Sequence, residues 1–121
     1  MNPHVKGSKL AAVTPSGTTA VTAFPATLPT EITRIFVCNV SGSACTFRLF
    51  HGADGDSFDT SNALYYDAAV PAGTTVEIFA DSTNCGITLE ATDILGVRSD
   101  TADGLTFSIY GVTAEITPGA G

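Results

Sequence analysis

The chain has 121 residues, 44% of them hydrophobic and 14% charged, with five Lys and Arg against twelve Asp and Glu, for a net charge of −7. This composition is too apolar for a disordered chain, and it is too acidic for a nucleic-acid face, which needs clustered cations. No apolar run approaches the ~20 residues of a membrane helix, so neither nucleic acid nor membrane is expected as a partner.

The length predicts one domain. The first thirty residues hold Lys6 and Lys9 and no acid, and the twelve acids begin at Glu31. We expect an N-terminal arm over residues 1–13 and a single β domain over 14–121. Lys6 and Lys9 are followed by too short an apolar run (Leu10–Val13) for a signal peptide. Manufacture in a reducing cytoplasm is the expectation, and the Asn39-Val40-Ser41 sequon is then without meaning.

Eighteen Thr, seven Phe and three Tyr, with Gly and Pro at short intervals, point to strands rather than helices. In chain order the expected strands are Leu10–Val13, Thr19–Phe24, Glu31–Val40, Ala44–His51, Ala63–Val70, Thr75–Ala80, Gly86–Ala91, Ile94–Ser99 and Leu105–Ile116. Pro25 and Pro29 mark a crossing between the second and third. So many short strands in so short a chain predict an all-β antiparallel sandwich, jelly-roll-like, with an extended N-terminal arm.

A hairpin is expected about Ser41-Gly42. It would pair Cys38 with Cys45, Phe36 with Phe47 and Arg34 with Leu49, placing Phe36, Cys38, Val40, Cys45, Phe47 and Leu49 on one apolar face. Cys38 and Cys45 would then be neighbours, as two reduced buried side chains or as a cross-strand disulfide in an oxidising medium. With Cys85 the cysteines are odd in number and lack C-x-x-C spacing, which is neither a disulfide framework nor a zinc site. Pro15-Ser16-Gly17-Thr18-Thr19 and Pro71-Ala72-Gly73-Thr74-Thr75 each put Pro at the second turn position and Gly at the fourth, as in a type I turn feeding a strand.

Catalytic chemistry is poorly provided for. His4 lies near the terminus, His51 ends a strand, and no G-x-S-x-G elbow is present. Asp54, Asp56 and Asp59 in the segment 52–62 could wrap a hard cation or form a contact loop, but the Gly and Glu of an EF-hand loop are missing. Asp and Gly also suit long loops for turn geometry alone. No resident metal or cofactor is expected. In Ala63–Asp67 strand alternation sends one of Tyr65 and Tyr66 inward and the other outward, where a sugar or a protein could meet it.

Taken in order, these segments are similar to a family of small tailed-bacteriophage virion proteins. The N-V-S-G-S-A-C-T-F block at 39–47 carries the likeness, with the acidic D-G-D-S-F-D loop at 54–59 and A-L-Y-Y-D at 63–67. The Pro-Ala-Gly turn at 71–73 continues it, and G-V-R-S at 96–99 and L-T-F-S-I-Y-G-V at 105–112 close it. The likeness spans roughly residues 10–116. It implies a virion component without a catalytic site, built in the host cytoplasm and often trimeric. On this reading the chain is a capsid decoration (cement) protein that clamps the major capsid protein or another virion protein. Lys6, Lys9 and Leu10 of the arm would dock it, and the acidic loop would form the outward tip. A tail, collar or fibre component is the alternative within the same class. A carbohydrate-binding or host-adhesion module using Tyr65 or Tyr66 is the alternative from another. The cysteine pair departs from the family's pattern.

Overall fold

The computed structural model describes residues 8–78 and 86–114. Within them lie nine strands and no helix: β1 (Ser8–Val13), β2 (Val21–Pro25), β3 (Thr30–Asn39), β4 (Cys45–Gly52), β5 (Ala63–Val70), β6 (Thr75–Ile78), β7 (Ile87–Leu89), β8 (Ile94–Ser99) and β9 (Leu105–Thr113). Each begins within two residues of its expected position, because the Gly, Pro and Ser-rich punctuation between them is strong.

One antiparallel sheet has the order β1-β9-β3-β6, with β7 also paired to β3, and the other has the order β2-β8-β4-β5. β6 and β7 follow one another along the same side of β3, against Ile35–Cys38 and Thr30–Ile32 respectively. Counted as one interrupted strand, they reduce the fold to eight strands in the order 1-8-3-6 over 2-7-4-5. That is the winding of a jelly roll. The expected fold class is the observed one.

Alternation supplies the core. Ile32, Ile35, Val37, Phe107 and Ile109 from the first sheet meet Phe47, Leu49, Leu95 and Val97 from the second, and Phe47 and Phe107 pack edge to face with ring centroids 6.0 Å apart. Both Phe side chains are fully buried, and each anchors several kcal/mol of stability on the order of 3–5. A bulge at Thr33 shifts the β3–β9 register between Ile32 and Arg34. Gly111 sits opposite this bulge, where a Cβ would run into the Glu31 carbonyl.

The expected hairpin about Ser41-Gly42 is not formed. β3 and β4 belong to different sheets, and the 40–44 segment carries the chain across the sandwich. Cys38 pairs with Thr75 and Thr106, while Cys45 pairs with Val70. Cys45 is buried in the core and Cys38 is half-buried; both are free thiols. The face assignment of β3 is likewise reversed: Ile35 and Val37 point inward, Phe36 and Cys38 outward, and Val40 is 58% exposed. Over residues 35–38 both faces of β3 are apolar, so hydrophobic pattern there admits either register.

Asn39 makes the crossing. It is 3% exposed. Its Nδ2 donates to the Ser43 carbonyl at 2.8 Å and to the Val70 carbonyl at 2.9 Å. Its Oδ1 accepts the Ser41 N–H and the Ser41 hydroxyl, each at 2.8 Å. A buried amide with every bond made fixes a corner, where a type I′ turn would have continued one sheet. At the next crossing, Thr74 N donates to the Pro71 carbonyl, and Gly73 has φ +69°. Pro71 therefore opens the turn and Gly73 takes its left-handed third position, one residue displaced from the type I expectation.

The arm expected over residues 1–13 is corrected from Ser8 onward. β1 pairs with β9 from Ser8↔Gly111 to Val13↔Phe107, and Leu10 packs against the core.

Candidate functional site

The outer face of the β2-β8-β4-β5 sheet carries a group of interacting polar and aromatic side chains. Arg48 of β4 stands opposite a bulge in β5, where the register jumps from Ala68 to Tyr65. Asp67 takes φ +54° there, which turns its carboxylate back over the sheet. Arg48 Nε and an Nη donate to the two Asp67 oxygens at 2.7 and 3.2 Å. Its guanidinium also lies 3.7 Å from the Tyr66 ring centroid. Arg98 of β8 reaches the same carboxylate at 3.4 Å and donates to the Thr18 carbonyl at 3.0 Å. The Arg48 hydrogen bond holds the Asp67 carboxyl below its ordinary range, and Asp67 in turn raises Arg48.

The two tyrosines divide as alternation requires. Tyr66 stacks on Arg48 outside the sheet. Tyr65 lies 5.7 Å from the buried Phe47 ring, centroid to centroid, at the sandwich edge. Both retain exposed surface: 37% at Tyr65 and 48% at Tyr66, beside Leu64 at 48%.

The acidic loop folds back on the same face. Phe58 stacks on Phe50 at 5.4 Å and covers Gly96. Asp56 Oδ2 accepts the Ala53 N–H at 2.9 Å. Asp59 Oδ1 accepts the Ser61 N–H at 2.9 Å and its hydroxyl at 2.5 Å, and these bonds lower the Asp59 carboxyl. The carboxylates of Asp56 and Asp59 thus organise their own loop, while Asp54 is exposed. Among the described residues no three His, Cys, Asp or Glu side chains converge as a metal site.

Of the expected docking residues, Lys9 is exposed on β1 and Leu10 is half-buried against the core. Lys6 lies outside the described residues.

Two groupings escaped sequence reasoning. Arg48, Asp67 and Arg98 meet only through the β5 bulge. His51 Nε2 lies 3.0 Å from Asp93 Oδ2, which also accepts the Glu90 N–H at 3.0 Å. The His51 bond lowers the Asp93 carboxyl. No spacing signal links residues so far apart in sequence. Through these bonds the pair braces the turn at 90–93.

No known protein family and no curated protein matches the chain. Among solved structures, the chain is similar in shape to a protein of infectious bursal disease virus strain Gx at 15% identity and a TM-score of 0.49. That likeness covers 99% of this chain and 35% of the other, so the chain spans about a third of that protein's length. It is also similar to the Tobacco streak virus coat protein, solved as a dimer, at 12% identity and a TM-score of 0.35, over 93% of this chain and 86% of the other.

Proposed function

We propose that this chain is a non-enzymatic virion structural protein, and within that class a capsid decoration protein that clamps neighbouring capsid subunits. The observation that carries the reading is where the family-like sequence blocks fall in the jelly roll. The 39–47 block forms the β3–β4 crossing with Asn39 at its centre. The A-L-Y-Y-D block is the exposed edge strand with its bulge. The closing blocks are β8 and β9, which lie next to one another in sequence and sit centrally in opposite sheets. The likeness therefore rests on the residues that wind the fold. Jelly rolls serve as capsid and lectin domains alike, and fold alone assigns no role.

Decoration would work by burying new area between subunits, which stabilises a shell by mass action. Residues 1–7 with Lys9 would dock, and the acidic loop would face outward. The test is electron microscopy of virions labelled with an antibody to this chain. Label over the head supports decoration. Label confined to the tail or neck moves the chain to a tail, collar or fibre role. Absence of label from every particle overturns the virion reading and leaves the carbohydrate-binding module, with Tyr66 as its ring.

A further inference from the structure

We infer that Asn39 is a glycan acceptor that the fold consumes: transfer of an oligosaccharide to its amide and formation of the jelly roll exclude one another. The inference does not rest on the virion reading.

Asn39-Val40-Ser41 has the N-x-S pattern of an N-glycosylation acceptor, and it is the one such motif in the chain. Attached sugars are bulky and solvated, so acceptors belong on surface loops. Here only the middle residue meets that condition: Val40 is 58% exposed and Asn39 is 3% exposed. Transfer breaks the bond between a sugar C1 and the pyrophosphate of a lipid-linked oligosaccharide and forms a bond from C1 to the Asn Nδ2. The amide gives up one proton, and the lipid pyrophosphate leaves.

Both Nδ2 hydrogens of Asn39 are already committed. One is donated to the Ser43 carbonyl at 2.8 Å and the other to the Val70 carbonyl at 2.9 Å. A sugar on Nδ2 replaces one of these hydrogens, so it must take the place of the carbonyl that hydrogen points at. Towards Val70 it would enter the sandwich where Val70 and Cys45 are fully buried, and sugar hydroxyls without partners there are costly. Towards Ser43 it would wedge the 40–44 crossing away from β3.

The rest of the motif is held as firmly. Ser41 Oγ lies 2.8 Å from Asn39 Oδ1 and 2.9 Å from the Ser43 carbonyl. Asn39 N donates to the Thr74 carbonyl and Val40 N to the Gly104 carbonyl, each at 2.9 Å. These bonds tie the motif to the residues that lead into β6 and β9, so offering it to a transferase means opening the end of β3. Order then decides the outcome. A chain that folds first has no acceptor, and a chain glycosylated first cannot close its corner. The fold belongs to compartments where no oligosaccharide reaches the unfolded chain.

The full chain, carrying an added signal peptide, is sent through the secretory pathway of a eukaryotic cell, with and without an inhibitor of lipid-linked oligosaccharide synthesis. Two species are expected. One is unmodified and melts cooperatively, like the chain made in a bacterial cytoplasm. The other is heavier by one N-glycan, has lost the cooperative melt and is cut readily by protease. In a second arm, the folded bacterial product is given purified oligosaccharyltransferase and its lipid-linked donor, beside a peptide of residues 34–46. The peptide is expected to take a glycan and the folded chain none. A species both folded and glycosylated, from either arm, overturns the inference. So does a peptide that takes no glycan, since the motif is then no acceptor. An unmodified secreted chain as unfolded as the glycosylated one overturns it too, because the glycan is then not the cause.

Discussion

Phe58 lies flat over Gly96, its Cζ 2.5 Å from the point where a Cβ on residue 96 would stand. The ring also stacks on Phe50, the cross-strand neighbour of Gly96. A loop rich in Asp and Gly is thereby pinned to the sheet by one apolar plug. Gly96→Ala must push the plug aside, at a cost of about 1–3 kcal/mol typical of an overpacked site. Urea denaturation should show that loss, and limited proteolysis should cut residues 53–62 faster. Unchanged cleavage would show that the loop is held by its own hydrogen bonds instead.

Asn39 is the corner on which the jelly-roll winding turns. Asn39→Ala removes the side-chain donor to the Val70 carbonyl and the acceptor of the Ser41 N–H, while the Ser43 carbonyl keeps the Ser41 hydroxyl, so a loss of about 1–3 kcal/mol is expected from unsatisfied buried groups. Asn39→Asp restores the acceptor but not the donors and should recover little. Thermal melting of the three proteins checks the order.

Strand existence was legible in the sequence, and strand partnership was not. Ala63–Val70 and Ile94–Ser99 are read correctly to the residue because Asn62 and Pro71, and Asp93 and Asp100, bound them. The β3–β4 connection was misread because Phe36 and Cys38 alternate as well as Ile35 and Val37 do. The choice between them is made by Asn39, whose buried bonds reach Val70, 31 residues away. For the same reason the acidic loop could be seen as a cluster, while its anchoring by Phe58 could not. Arg48 and Asp67 became partners only through a bulge that leaves no mark in local composition.

Acid should destabilise the fold through Asp93. Its carboxyl is lowered by the His51 hydrogen bond first, then by the Glu90 N–H. A carboxylate with a lowered folded-state pKa contributes stability above its unfolded value, near pH 4, and loses it as the pH falls through the folded value. Asp93→Asn should therefore be less stable than the parent at pH 7, with the gap closing below about pH 4. Urea midpoints at pH 7 and pH 3 read both. A gap of equal size at the two values would mean that Asp93 acts through its shape and not its charge.

Cys38 and Cys45 should not form a disulfide. One faces outward from its sheet and the other lies in the core, where Cys45 Sγ sits 3.4 Å from the Ser41 hydroxyl. In a Cys85→Ser background, exposure to mild oxidant should leave two titratable thiols after unfolding and an unchanged melting temperature. Cys45→Ala should cost more than Cys38→Ala, since only the first opens a core cavity.

Truncation separates docking from folding only if it stops before β1. Removing residues 1–7 leaves every pair between β1 and β9 intact, so the melting temperature should hold, while any docking by Lys6 is lost. Removing residues 1–13 strips the edge strand and uncovers the core beside Leu10 and Val13. Each such side chain contributes roughly 1.5–3 kcal/mol when fully buried and less here, so a marked fall in stability is expected. Comparing the two truncations by circular dichroism and by binding to capsid shells checks both halves. If the shorter truncation binds shells as tightly as the full chain, docking belongs to the folded sandwich and not to its N-terminal residues.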